Sequence, residues 1–550
     1  IDLRIRGKEI ALGFLTSISP VIKESGGVAD VDLRIQGTTV SPYLQGFFSI
    51  RDGSVKLIHF DVPISNGKLE LTANKGEINI SPRFQIGDGK YEADIGLRLD
   101  GLFPTDFEVR RFALQNAQIS DVARNFLKGE IASNLKGYVT AEGNVKFPIN
   151  RFILPGESVW TPKIAPITPS DLLKYVTSEL KMQNVLVESL GYSIRNPKPI
   201  EILLKEQRLS LEEGFILEDQ KATVADQRLQ LTGFGSWELG KKLLFRINMQ
   251  HFDLGFLSDF VPEAYPIRGF LNASLDIRGT DAQPEITVAW DTPKLSINQA
   301  EVDTFTGTIV YKEQQLRIGE KGNPVQFSIG ANRAVASGLI PFALSLSDFK
   351  AEPLPQDIEG RLDVEIKDLD FLPVIVPQFG VAKATGGISV TIGGLLSSPQ
   401  LRGVANLRNF AFDIHDSYIR VDNARVSLDF TQGGLNIRDV RGQLNDGTFQ
   451  IIGSLQSNWL DVSSINLSTS LRDGCTFEQP EVYKIKIRDA DFSMIGEVVT
   501  NGIVKLPPLS GSIYIEKGQY EQDWHELVKQ WVDKTSDVQF EVLSDYPVVR

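Results

Sequence analysis

The chain has 550 residues, 42% of them hydrophobic and 23% charged, a composition of folded proteins that excludes the disordered class. Its formal charge of -13 and pI near 5.1 oppose wrapping around nucleic acid, which takes a basic surface, and equally oppose lying flat on an anionic bilayer. The single cysteine, Cys475, has no partner for an internal disulfide and reads as a small core or turn residue; such scarcity is compatible with an oxidising compartment.

The chain opens in the middle of a strand, IDLRIRG, and closes on EVLSDYPVVR, which reads as a strand about to continue. The expectation is a fragment of a longer protein, with any signal or anchor outside it, because no window approaches the roughly 20 apolar residues of a spanning helix. Residues 12 to 22, LGFLTSISPVI, predict a short helix ending near a proline. Period-2 alternation then dominates: Val31, Leu33 and Ile35; Leu97 and Leu99; Leu271, Ala273, Leu275 and Ile277; Leu362, Val364 and Ile366; Ile388, Val390 and Ile392; Val426, Leu428 and Phe430; Ile485 and Ile487. Each run predicts a strand with one dry and one wet face.

Glycine dipeptides separate the strands: Asp52-Gly53, Asn66-Gly67, Asp88-Gly89, Gln432-Gly433-Gly434, Asp446-Gly447 and Asn501-Gly502. They supply the positive φ of tight hairpins, which predicts an antiparallel meander. Further helices are expected at 121 to 128, 169 to 183, 254 to 266, 370 to 379 and 525 to 535, as caps that cover or plug part of a sheet. The Pro-rich stretch 147 to 170 reads as an irregular loop, a lateral lid or an insertion.

One step recurs. Gly-x4-Pro-x-Leu/Ile occurs as Gly37, Pro42 and Leu44, as Gly279, Pro284 and Ile286, and as Gly394, Pro399 and Leu401, each after a helix-like segment with a terminal proline. Long self-similar periods predict a quasi-one-dimensional array. About thirty strands at about 4.8 Å extend on the order of 140 Å, whereas twisted open sheets seldom exceed about ten strands without curling or splitting. The helices are too few to cover so much apolar face. Either separate sandwiches pack face to face, or the sheet folds into a trough filled by something else.

The repeated pattern resembles the bacterial TamB and AsmA-like proteins, best in GGVADVDLRIQGTTVSPYLQGFFSIRDGSVKL (26 to 57) and in the stretches 67 to 80 and 87 to 101. GIVKLPPLSGSIYIEKGQY (502 to 520) is similar to the lead-in to that family's C-terminal domain. The stretch 137 to 250 departs most, with no clear Gly-x4-Pro step. The resemblance implies a mainly β fold: a long, mostly antiparallel repeat sheet curled into an open groove, a β-taco, with a few short capping helices. On that basis 1–118, 252–369 and 370–496 are groove repeat units, 119–251 a divergent unit and 497–550 the start of a truncated C-terminal domain.

The function implied is a bridge-like conduit carrying phospholipid between inner and outer membranes, in support of outer-membrane biogenesis and protein assembly. The location implied is the periplasm, or the intermembrane space of a plastid envelope. The partners implied are phospholipids, an Omp85-type outer-membrane protein reached through the missing C-terminal part, and the inner membrane reached through a missing N-terminal anchor; nucleic acid is not among them. Groove-lining positions are expected at Val31, Leu33, Ile35, Leu97, Leu99, Leu275, Ile277, Leu362, Val364, Ile366, Val390, Ile392, Val426, Leu428, Phe430, Ile485, Ile487, Ile513 and Ile515.

No enzyme, cofactor or metal site is expected. Gly235-x4-Gly240-Lys241 misses a phosphate-binding loop because Lys242 replaces the Ser/Thr that holds Mg²⁺. His59, His251, His415 and His525 are scattered, without metal-ligand spacing. Two rivals stand beside the conduit: a structural or adhesive β-repeat array that buries its own apolar faces, and a scaffold that accepts a polypeptide strand on an open edge.

Overall fold

A computed structural model describes the chain except for residues 20, 39–40, 58–61, 120–135, 152, 155–162, 165–168, 190–191, 222–227, 256–265, 321, 347–349, 377, 415–417, 459–460, 480–482, 501–503, 506 and 521–550. Strand accounts for about 79% of the structure and helix for 4%. The alternating runs make 31 strands of one sheet, in which nearly every strand is hydrogen-bonded, antiparallel, to the one before and the one after it in the chain. In four places two short strands lie end to end and share one position in the stack, as Tyr192–Arg195 and Ile200–Lys205 do beside Thr177–Ser189. Among the described residues the first strand, Asp2–Ala11, pairs only with Ile22–Gly37, and Leu509–Tyr520 only with Tyr483–Glu497; the sheet is not a closed barrel.

The recurring glycine-proline step is a hairpin. Gly37 faces Pro42, Gly279 faces Pro284 and Gly394 faces Pro399 at the mouths of three equivalent connections. Gly37 sits at φ 111°, and a Cβ there would lie 2.4 Å from the Ser41 carbonyl oxygen. Proline, which cannot donate to a ladder, occupies the first residue of the next strand, where that costs least.

Bulges bend the strands. Glu9, Asp52, Asn66, Asn116, His251, Asn409 and Asn423 all have positive φ, between 50° and 57°, and each falls in a break of register inside a strand pair. A bulge adds a residue to one strand, tightens its twist and leaves an N–H without a ladder partner. Neighbouring side chains take that N–H: Glu9 N–H donates to Asp30 at 2.7 Å, Asn116 to Thr140 at 3.2 Å and His251 to Asn272 at 3.0 Å. Small residues sit beside the bends, since Ala117 and Ala424 directly follow bulge residues and are fully buried.

Several expectations are corrected. Asp52-Gly53 and Asn66-Gly67 are not hairpin turns; they lie inside Pro42–Leu57 and Ile64–Asn74, where the same positive φ makes a bulge. The helix expected over 169 to 183 stops at Tyr175, and Thr177–Ser189 is a strand between Lys136–Phe147 and Ile200–Lys205. Helix-forming Leu, Lys, Met and Gln there are overridden by two flanking ladders. The short helices within 12 to 22 and 370 to 379 are present as Leu12–Phe14 with Leu15–Ile18 and as Leu372–Ile375. Those at 121 to 128, 254 to 266 and 525 to 535, and the Asn501-Gly502 turn, fall wholly or almost wholly outside the described residues. Within the Pro-rich stretch, Ile153–Leu154 pairs with Lys163–Ile164.

Among the described residues the sheet is a single layer. The chain's accessible surface is 34368 Å², against about 20,000 Å² for a compact monomer of this mass. Two buried clusters of more than one side chain occur among the described residues, one around Leu254 and Val302 and one around Cys475. Face-to-face sandwiches would give every strand a buried inner face, and among the described residues most of these strands have only one or two buried apolar side chains.

Closely approached glycines should be fragile where open ones are not. Gly46 lies at φ 131°, and a Cβ on it would reach 2.0 Å from the Asp32 carbonyl oxygen, whereas one on Gly433 meets nothing within 4 Å. Gly46→Ala should therefore cost roughly 1–3 kcal/mol, read as faster amide exchange in Ile22–Gly37 and Pro42–Leu57. Gly433→Ala should leave exchange unchanged.

Candidate functional site: an uncovered apolar face

Cross-strand register shows which side chains share a face, because facing residues of an antiparallel pair project to the same side. One row runs Ile5, Leu33, Gly46, Ala73, Ile78, Leu97, Phe107, Phe147 across eight consecutive strands. A second runs Phe245, Ile277, Ile286, Tyr311, Leu316, Ile340. A third runs Ala336, Leu362, Val390, Gly403, Phe430, Leu435, Leu455, Ile465. Val364, Ile388, Ala405, Leu428, Ile437, Gly453, Leu467, Met494 and Leu509 make the row beside it.

The remaining expected positions join the same face. Val31 faces Phe48, Ile35 faces Leu44 and Leu99 faces Pro104. Leu275 faces Ile247 and Val288, Ile366 faces Gly386, Ile392 faces Leu401, and Val426 faces Leu407 and Val440. Ile485 faces Phe477, Ile487 faces Ile515 and Ile513 faces Ala490. The sequence reading missed the aromatic members, Phe48, Phe107, Phe245, Trp237 and Trp290. The signal was present, since Ile286, Val288 and Trp290 alternate in EITVAW.

Among the described residues nothing packs over most of this face, yet it is better shielded than the other one. Along Ser398–Ile414 the apolar-face residues Leu401, Gly403 and Leu407 are half-buried and Ala405 is buried. Val404, an apolar side chain on the opposite face, is 43% exposed. With no second layer on either side among the described residues, the difference comes from curvature: the sheet curls toward its apolar face. At the outermost strands the apolar side is open, with Leu3 and Ile5 at 53% and Ile515 at 53% exposure.

One strap covers part of the apolar face. The short strands Ile267–Arg268, Leu295–Ile297 and Ala300–Val302 form a separate three-stranded sheet. Leu254, Leu295, Ala300, Val302 and Ile329 are buried in its cluster, with Phe252, Leu271, Phe305 and Phe327 of the large sheet packed against them. Phe371 and Ile375 bring in the helix Leu372–Ile375, and the Asn298 side-chain amide donates to the Val374 carbonyl at 2.5 Å. Here a short helix does cap the sheet.

The opposite face is polar and self-paired. Asp32 accepts from Arg4 at 2.7 Å and Arg6 at 3.2 Å, Arg34 pairs with Asp2, and Arg246 and Arg278 both hold Asp276. The hydrogen bond from Arg278, opposed by desolvation and reinforced by Arg246, keeps the Asp276 carboxyl below its usual value of 3.8. Gly235 lies within a strand and Gly240 in the hairpin that follows it, so the near-miss phosphate loop has no helix to open. Among the described residues no group of three or more His, Cys, Asp or Glu side chains is placed to hold a metal ion.

Residues 219–407 match the family model of the TamB N-terminal domain. The chain is TamB-like. The matched stretch, about a third of the chain, begins inside the part that lacks the Gly-x4-Pro step and ends in the strand that follows the third copy of it. No curated protein and no solved structure matches the chain. The matched stretch lies within the curled sheet, and the likeness is to a family of the bacterial envelope.

The Asp276 ion pairs carry a pH signature. A carboxyl whose pKa is depressed by folding adds stability above its unfolded pKa, and that addition is lost as pH falls through the lower folded value. Asp276→Asn should lower the melting temperature at pH 7, and the difference from wild type should vanish well below pH 3.8. Melting curves across pH 2 to 7 check this.

Proposed function

We propose that the apolar face of this TamB-like sheet is a conduit for phospholipid acyl chains between the inner and outer membranes. The observation that supports it most is the set of unbroken apolar rows, which pass from strand to strand through a single-layer sheet with no second layer to bury them. A face of that extent in water calls for an occupant. A sixteen-carbon chain hides roughly sixteen methylenes at about 0.8 kcal/mol each, so crossing water unsheltered costs on the order of 12 kcal/mol. A continuous apolar trough removes most of that barrier. It binds weakly everywhere, because a deep well at any point stalls flow.

In this reading the chain works in the periplasm without enzymatic chemistry or cofactor. Its partners are phospholipids along the trough, the inner membrane at one end and an Omp85-type outer-membrane protein at the other. A self-burying adhesive array fits poorly with a sheet that has no second layer. A strand-accepting scaffold would use the ladder edges at Asp2–Ala11 and Leu509–Tyr520 and would leave the apolar rows without a role.

Photo-crosslinkers at Leu33, Ile277, Val364 and Leu428, all on the apolar face, should capture phospholipid, and crosslinkers at Arg34, Asp276, Glu365 and Asp429, on the polar face, should not. Val364→Asp sets a charge among acyl chains, where an unpaired ion costs several kcal/mol. It should stop transport in a protein that still folds, while Glu365→Lys should not. Equal capture from both faces would falsify the conduit.

A further inference from the structure

Trp290 stands on the apolar face between Ala273 and Gly307, one side-chain row in from the strap cluster that takes up Leu271 and Phe305. The strap covers the neighbouring row, and the floor beside it is made by Met249, Ala273, Trp290 and Gly307. An indole standing upright there would project into the trough. It does not stand upright: a Cβ built on Gly307 would fall 2.3 Å from Trp290 Cζ2, 2.5 Å from Cη2 and 2.9 Å from Cε2, so the ring lies flat in the space that a side chain at 307 would occupy. Gly307 has no positive φ, so its backbone suits any residue. The three atoms nearest that Cβ all belong to the indole.

The flat pose also hides the one polar atom of the ring. Trp290 Nε1 is shut off from solvent without a hydrogen-bond partner among the described residues. Trp237, the tryptophan that faces Leu209 and Leu243 on the same side of the sheet, buries its Nε1 in the same unpartnered way. An exposed indole N–H on the floor would donate to each passing ester carbonyl and make a sticking point in a path that works by weak contacts alone. Glycine beneath an aromatic ring is a known device for seating aromatics on a sheet.

We infer that Gly307 is a positioning residue for acyl-chain passage: it recesses the Trp290 indole, which keeps the trough open beside the strap and withholds the ring N–H from lipid ester groups. This rests on the conduit reading above. The test is capture of phospholipid in cells by photo-crosslinkers at Leu99 and at Val426, positions on either side of Trp290 along the sheet. Wild type should label at both. Gly307→Val should lift the ring and change the ratio of the two captures by about tenfold, the factor for a barrier of about 1.4 kcal/mol. Removing the ring should restore it, so Gly307→Val with Trp290→Ala should match Trp290→Ala alone in both folding and capture. That comparison decides the matter even if the single valine variant does not fold. A double variant that stays defective, or a folded Gly307→Val with the wild-type ratio, overturns the role of Gly307 and leaves the conduit standing. No lipid at either position in wild type removes the conduit itself.

Discussion

Everything in this structure depends on the antiparallel ladder being satisfied on both edges of nearly every strand while one face is left without cover. Alternation sends each strand's apolar side chains to the same side, and pairing each strand with its chain neighbours adds those sides into continuous rows. The ladder cannot shield them; curvature can. It comes from bulges whose extra N–H is met by Asp30, Thr140 or Asn272 on the next strand. It comes also from glycines such as Gly46 that let the backbone of a neighbour approach closely. Ladder and bend are therefore complementary, one setting the direction of the path and the other its cross-section.

The polar face answers a different problem. A single-layer sheet presents a second broad surface to other copies of itself, and flat two-sided sheets are prone to stack. Here charges two apart on one strand pair with each other, as Asp276 with Arg278, Arg361 with Asp363 and Arg420 with Asp422. Such exposed pairs are worth about 0–1 kcal/mol each, too little to hold the fold. Their effect is a densely charged, internally neutralised surface that stays in water.

Much of the sheet was legible from the sequence because period 2 needs no knowledge of partners: Val31, Leu33 and Ile35 announce their face alone. The Gly-x4-Pro step was legible because a hairpin is local. What failed was whatever depends on a partner. Asp52-Gly53 supplies positive φ, and φ by itself does not distinguish a bulge from a turn. Residues 177 to 183 have helix-forming composition and become a strand through the ladders on either side. The strap 267–302 is built of strands two or three residues long, too short to show any period. The seating of Trp290 on Gly307 depends on register, which sets residues 17 apart in sequence opposite each other and is set by turns and bulges upstream.

Stability and passage scale differently along such an array. Each strand contacts its two neighbours and little else, so a substitution is felt by one or two ladders and the rest of the sheet keeps its pairing, as in other quasi-one-dimensional proteins. In the proposed conduit, passage along the apolar rows would be a series, with every position admitting the chain that the previous one released. A defect that is a small fraction of the folding free energy would then interrupt flow. That asymmetry accounts for a floor made of redundant Val, Ile and Leu, which exchange for one another at little cost. It also separates out the few places, such as the strap and the indole beside it, where the apolar face is itself covered by other side chains. Sequence tolerance should be broad over the rows and narrow at those places, and the narrow ones are the sites at which a groove acquires specificity.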